Sequence, residues 1–119
     1  MPSSLSPLKG EIWLVDFDPN IGDEIGKRRP AIVVSRKGVG TLDLRIVCPI
    51  TDWKHHYVDY LWFHELMPSR TNGLTKRSGA AAFQCKSVSI DRFIRRIGIM
   101  DEEEAEDIID RLIFCLRRP

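Results

Sequence analysis

Gly10-Glu11-Ile12-Trp13-Leu14-Val15-Asp16-Phe17-Asp18-Pro19 is the stretch on which the reading of the whole chain turns. β-Branched and aromatic residues fill it, and Asp18-Pro19-Asn20 ends it with turn chemistry, so it is a strand. With a period of two, Ile12 and Leu14 face one way and Trp13, Val15 and Phe17 the other. Both faces are therefore covered, as in a barrel or a sandwich.

Downstream, a polar loop from Asp18 to Arg29 leads into Pro30-Ala31-Ile32-Val33-Val34-Ser35, a second strand that opens on proline, where a missing N–H matters least. Gly38-Val39-Gly40 turns the chain into a third strand, Leu44 to Thr51, whose Pro49 puts its far end at a sheet edge or exit. Tyr57 to His64 alternates as a further strand and is followed by the breaker-rich turn Pro68-Ser69-Arg70-Thr71-Asn72-Gly73. Ala80 to Cys85 reads as strand, because a helix there would be only a turn or two long. Ser89 to Phe93 fits a single helical turn and Arg95 to Met100 a last short strand. Ala105, Ile108, Ile109, Leu112, Ile113 and Leu116 then recur at the spacing of one apolar helix face, with Asp101 as N-cap and Glu104 completing a capping box. Five or six short strands before one helix make an α+β or small-barrel architecture with the helix packed on one side or end.

A chain of 119 residues, 43% of them hydrophobic and 29% charged, suits one domain over residues 1–119, with the Ser/Pro-rich residues 1–8 as a flexible N-terminal extension. That length buries a core without disulfides or a structural metal. Cys48, Cys85 and Cys115 are odd in number and lack CxxC spacing, which fits a reducing cytosol. No leader pattern and no apolar run of about 20 residues is present, so the chain reads as soluble, cytoplasmic and without membrane attachment. The net charge of +1 hides an asymmetry: residues 1–100 carry 15 basic and 10 acidic side chains, residues 101–119 carry 3 and 7. Acidic residues that cap and solvate a helix account for the tail. The basic body needs a partner or another reason.

Mixed charge gathers between the first two strands, where Asp18, Asp23, Glu24, Lys27, Arg28 and Arg29 stand beside Gly22 and Gly26. A solvated loop with surface ion pairs would have the same composition; the specific feature is Arg29-Pro30. Proline biases the preceding residue to extended backbone, so Arg29 projects from a defined position at the mouth of a strand. A guanidinium there suits a phosphate, which it grips with two parallel hydrogen bonds. His55 and His56, read as neighbours on a strand, point to opposite faces and are badly placed to chelate one ion. His64, Asp16 and Asp18 belong to no ligand cluster either, so no metal and no cofactor is expected.

Taken together, Gly10 to Pro19, then Gly22-Asp23-Glu24, then Arg28-Arg29-Pro30-Ala31-Ile32-Val33-Val34-Ser35 closely resemble the opening of MazF/PemK-type toxins of bacterial toxin–antitoxin systems. Pro49-Ile50-Thr51 resembles the end of that family's third strand. Gln84-Cys85-Lys86-Ser87-Val88-Ser89-Ile90-Asp91 resembles its later Gln-x-[Lys/Arg]-[Ser/Thr]-[Ile/Val] segment, and Arg95 to Leu116 its closing strand and helix. The likeness runs from Lys9 to Leu116, with Asp52 to Thr75 matching only loosely and Arg28 at a variable place.

The resemblance implies an α+β fold: a small SH3-like antiparallel β-barrel with a C-terminal helix, the MazF/PemK/CcdB-like toxin fold. It implies a homodimer that cuts single-stranded RNA without metal, silenced by a partly disordered, acidic antitoxin. Arg29 and Thr51 are the implied catalytic residues, the guanidinium meeting charge on the phosphorane and the hydroxyl donating to a phosphate oxygen. The resemblance also implies a part for Arg29 in proton transfer, although an ordinary arginine holds its proton too firmly to be a good base. Glu24 is the next candidate, as the base or as the ion-pair partner that orients Arg29, and the base is open between Glu24, Arg29 and another group. Gln84, Lys86 and Ser87, with Asp23, Lys27 and Arg28, are the expected RNA contacts. Phe17 and Trp53, bordering the catalytic loops, are the expected stacking rings, while Tyr57 and Trp62 read as core. Two other readings compete: a CcdB-like toxin of the same fold that binds DNA gyrase, and an RNA-binding barrel without activity.

Overall fold

Both faces of Glu11–Asp16 (β1) are covered: Ile12 enters one apolar cluster while Trp13 and Val15, with Phe17 just beyond the strand, enter another. The structure, a computed structural model, describes residues 6–37 and 42–118; the expected Gly38-Val39-Gly40 turn falls outside them. Of the expected N-terminal extension, residues 1–5 also fall outside. Pro7 is buried, and its carbonyl accepts from Arg45 Nε at 2.8 Å.

The described residues form a seven-stranded antiparallel sheet. After β1 come β2 (Arg28–Val33), β3 (Leu44–Asp52), β4 (Phe63–Leu66), β5 (Ser78–Ala81), β6 (Lys86–Ser89), β7 (Phe93–Ile99) and the helix α1 (Glu102–Leu116). The spatial order is β4-β5-β3-β2-β1-β7, with β6 also on β3. The long β3 is the pivot. On one side it pairs β2 from Val47 to Pro49; on the other it pairs β6 from Leu44 to Val47 and β5 from Ile50 to Asp52. Pro49 is therefore not at an edge. It occupies the two-residue gap where β3 has left β6 and not yet met β5, and there a missing N–H breaks no ladder.

The turn after β4 ties the far end of the sheet to β7. Thr71 O accepts from Ile99 N at 2.8 Å, and the backbones come so close that a Cβ on Gly98 would meet Thr71 O and the Asn72 carbonyl group. Buried Asn72 organises that turn, its Oδ1 accepting from Ser69 N and Leu74 N at 3.0 Å each and its Nδ2 donating to Met67 O at 2.9 Å.

Two sequence expectations are corrected between residues 53 and 85. Tyr57 to His64 is not one strand: His55–Asp59 is a 3-10 turn and only Phe63 onward is extended. Tyr57 N, Tyr60 N and Phe63 N donate in succession to the carbonyls of Lys54, Tyr57 and Tyr60. A spacing of three puts such side chains on one face in this geometry, so the rings gather by i, i+3 and not by alternation. Ala80 to Cys85 is strand only as far as Ala81; Ala82–Gln84 is a second 3-10 turn, over which α1 packs.

Helix α1 begins as expected at Asp101, whose side chain accepts from Glu103 N. Glu104 does not complete the capping box; it turns to His64 Nε2, 3.2 Å away. Ala105 and Ile108 are buried against the first cluster, yet Ile113 and Leu116, on the same apolar stripe, are exposed. The helix outruns the sheet that supports it.

Candidate active site

Arg29 and Thr51 face each other because of the β2–β3 register. The pairs Val33–Val47, Ile32–Cys48 and Ala31–Pro49, continued two residues further, put Arg29 opposite Thr51. Alternation makes the intervening Pro30–Ile50 position a hydrogen-bonded one, and Pro30 has no N–H to offer. The two strands part there, β3 takes up β5 at Ile50, and Arg29 and Thr51 meet at the opening through their side chains. Arg29 NH1 donates to Thr51 Oγ1 at 3.1 Å, and Arg29 Nε to Gly26 O at 2.9 Å.

Those two bonds leave three of the five guanidinium N–H groups free and fix the plane in which they point. Because Thr51 Oγ1 accepts from Arg29, its own hydrogen is turned outward and available to an anion. The expected ion pair between Arg29 and Glu24 is not formed. Glu24 Oε1 instead accepts from Ile21 N at 2.9 Å, folding its own loop, and the Gly26 carbonyl orients Arg29 in its place.

The loop from Asp18 to Lys27 is braced along its length. Lys27 adopts a left-handed φ of 66°, held where Asp18 Oδ1 accepts from Lys27 N at 2.7 Å and Phe17 N donates to Lys27 O at 2.8 Å. Gly26 is required beneath it, since a Cβ there would run into the Asn20 and Asp18 side chains. Arg92 NH1 donates to the carbonyls of Asp16 and Asp18 at 3.1 and 2.6 Å. Gln84 clamps the other flank: Nε2 donates to Asp23 O at 2.9 Å and Oε1 accepts from Ile25 N at 3.2 Å. Its amide is thus engaged by the loop and does not stand open to a base. Arg92 carried no signal in the sequence beyond its charge, since its partners are backbone atoms.

The Arg29–Thr51 pair stands on a ridge between two concavities. On the β5 side is a cleft of about 560 Å³ whose wall includes Asp23, Glu24, Lys54, Tyr57, Tyr60, Trp62 and Gln84. On the β7 side is a trough of about 650 Å³ lined by Lys27, Arg28, Lys76 and Arg95, into which no aromatic ring projects.

Four expected contacts lie outside the cleft and the trough. Phe17 is 1% exposed in the second cluster, because it shares the inward face of Trp13 and Val15. Trp53 lies over Gly79, with Arg77 5.4 Å from its ring centroid, outside the cleft. Lys86 and Ser87 are consecutive on β6 and diverge: Lys86 lines a groove shared with Glu24 and Gln84, Ser87 a separate concavity near Pro7 and Arg45. Tyr57 and Trp62, read as core, line the cleft instead, joined by Tyr60 and Lys54, which sequence reasoning passed over.

Among the described residues no three His, Cys, Asp or Glu side chains gather as a metal site, and no helix is long and apolar enough to cross a membrane. His55 and His56 are exposed on the 3-10 turn. Cys48 is fully buried, and burial, followed by a hydrogen bond with Cys85, raises its thiol well above the ordinary range.

Residues 8–116 match the family described as PemK-like, MazF-like toxin of type II toxin–antitoxin system. The chain belongs to this family. The endoribonuclease MazF9 of Mycobacterium tuberculosis is 32% identical over 110 residues, 87% of this chain and 91% of that protein. The crystal structure of MazF from Deinococcus radiodurans superposes with a TM-score of 0.77 at 25% identity, covering 95% of this chain and 98% of that one. A mycobacterial endoribonuclease in complex with its cognate antitoxin has the same fold, with a TM-score of 0.72 at 16% identity over 96% of this chain and 98% of that one. The expected α+β MazF/PemK architecture is the one observed, and the chain is the toxin of a type II system. Relatives named as endoribonucleases favour the nuclease over the gyrase-binding alternative.

Proposed function

We propose that this toxin is an endoribonuclease that cuts single-stranded RNA by internal attack, with Arg29 and Thr51 acting together on the scissile phosphate. The observation that carries the mechanism is the 3.1 Å bond from Arg29 NH1 to Thr51 Oγ1, which presents free guanidinium donors and a hydroxyl proton on one side of the ridge. In the reaction the 2′-oxygen bonds to phosphorus and the bond from phosphorus to the 5′-oxygen breaks. One proton leaves the 2′-hydroxyl and another reaches the departing 5′-oxygen, giving a 2′,3′-cyclic phosphate and a 5′-hydroxyl. Arg29 meets the charge that builds on the non-bridging oxygens and Thr51 donates to one of them. Glu24, in the same cleft and with one carboxylate oxygen not engaged by Ile21, is the group that takes the 2′-hydroxyl proton. Lys27, Arg28, Lys76 and Arg95 along the trough hold the RNA backbone.

The toxin works in the cytoplasm as a homodimer, and its antitoxin is a partly disordered, acidic chain that competes with RNA for the basic surface. The excess of 15 basic over 10 acidic side chains in residues 1–100 supports that competition, as does the antitoxin complex of the mycobacterial neighbour. The test is purified protein with single-stranded RNA, with and without excess EDTA. Cleavage should persist in EDTA, leave cyclic phosphate ends, and fail on RNA carrying a single 2′-deoxy or 2′-methoxy nucleotide at the cut. Loss of activity in EDTA with recovery on adding a divalent ion would contradict the mechanism.

A further inference from the structure

Four rings stand beside the Arg29–Thr51 pair: Phe63 is buried, Tyr57 and Trp62 are half-buried and Tyr60 is exposed. Tyr57, Tyr60, Trp62 and Phe63 line the cleft on the β5 side, and none belongs to either apolar cluster of the barrel. Tyr60 is 42% exposed, and the 3-10 turn that carries Tyr57 buries no residue at all. Their planes are nonetheless ordered: Tyr57 stacks on Phe63 with centroids 3.8 Å apart and planes 9° from parallel, and Tyr60 on Trp62 at 5.5 Å and 20°.

We propose that this cleft is a nucleobase pocket, in which Trp62 and Tyr60 stack against the base adjoining the scissile phosphate and so decide which sequences are cut. The inference rests on the endoribonuclease reading and adds to it the part of the RNA that this wall recognises. Three observations converge. The cleft shares Arg29 and Thr51 with the reaction site, so a base that enters it beside them adjoins the reacting phosphorus. Its volume of about 560 Å³ is that of a small-ligand pocket, ample for one splayed base. The opposite trough offers cations and no ring, the cleft offers rings with Lys54 and Lys27 at its rim, and a strand crossing the ridge is thereby sorted, backbone to one side and base to the other. Single-stranded RNA meets this demand because its bases turn out freely, whereas turning a base out of a duplex costs its pairing and stacking.

The experiment combines an abasic scan with ring deletion. Cut sites of the wild-type protein are mapped on a long single-stranded RNA, and a short RNA spanning one site is then made with an abasic residue at each position in turn. One position flanking the cut should lose about 5- to 150-fold in kcat/KM, the span expected for one base–aromatic stack. In Trp62→Ala that penalty should vanish, while penalties at other positions persist. Tyr60→Ala, at a more exposed ring, repeats the test should Trp62→Ala fail to fold. A wild-type protein that cuts no RNA would contradict the endoribonuclease reading itself. Cleavage with the same abasic penalty in wild type and both variants would overturn the base pocket alone. Variants that keep the cut-site preference but lose inhibition by an acidic antitoxin peptide would likewise overturn it, making the cleft a peptide dock.

Discussion

The two walls beside the ridge are built differently. The wall contributed by residues 17–29 is a net of hydrogen bonds to backbone atoms, drawn from Asp18, Arg92 and Gln84, with Gly26 fitted beneath it. The wall contributed by residues 54–63 has the backbone bonds of its 3-10 turn and one side-chain bond, from Arg111 to Leu61 O, but its own side chains meet as rings on rings, and the turn has no side-chain cap at its start. Backbone hydrogen bonds fix positions to fractions of an ångström, and reaction geometry needs that. Ring stacks hold their members through non-directional contact and tolerate repacking, which suits a surface that selects among bases. In the proposed reading, chemistry is anchored to the β2–β3 opening and selectivity rests on the ring-lined segment.

The largest effect that would break this contrast belongs to Arg29. Arg29→Ala should lose about 100- to 1000-fold in kcat/KM, the usual result of removing a donor aimed at transition-state charge, with thermal unfolding unchanged. An Arg29→Ala protein that melts normally and cuts within about threefold of wild type would remove Arg29 from the reaction. Next in size, Thr51→Val keeps the shape and deletes the hydroxyl that accepts from Arg29; steady-state kinetics should show a loss of about 10- to 100-fold, concentrated in kcat.

Smaller still is the strut. Gln84→Ala removes two bonds to the loop and should cost about 3- to 10-fold in activity, with faster amide hydrogen exchange at Ile25, whose N–H would lose its partner. Unchanged exchange at Ile25 alongside a loss of RNA affinity would mean that Gln84 reads a base after all. The smallest effect separates folding from function: Cys48, fully buried and with its thiol held protonated by burial, should stay unlabelled by a thiol reagent at neutral pH until the protein unfolds, as mass spectrometry would show.

The same contrast governs what could be read beforehand. β1, β2, β3 and the helix start were legible because each follows a local rule, alternation or capping, and Arg29-Pro30 marked its own position. The contact of Arg29 with Thr51 was open only to resemblance, since it depends on a register that no local pattern states. Phe17 was assigned to RNA although its alternation with Trp13 and Val15 already placed it inward. Tyr57 to His64 was read at a period of two when its rings follow a period of three. Arg92 could not have been found at all, for carbonyl oxygens, its hydrogen-bond partners among the described residues, are present at every residue.

Whether Arg29 and Thr51 act as one unit is answered most directly by a double-mutant cycle on kcat/KM with Arg29→Ala, Thr51→Val and the double variant. A hydroxyl set in place by the guanidinium makes the losses strongly non-additive, so the double variant should fall less than about threefold below Arg29→Ala alone. Losses that simply multiply would mean that the two residues act independently, and the 3.1 Å bond between them would then have no part in the reaction.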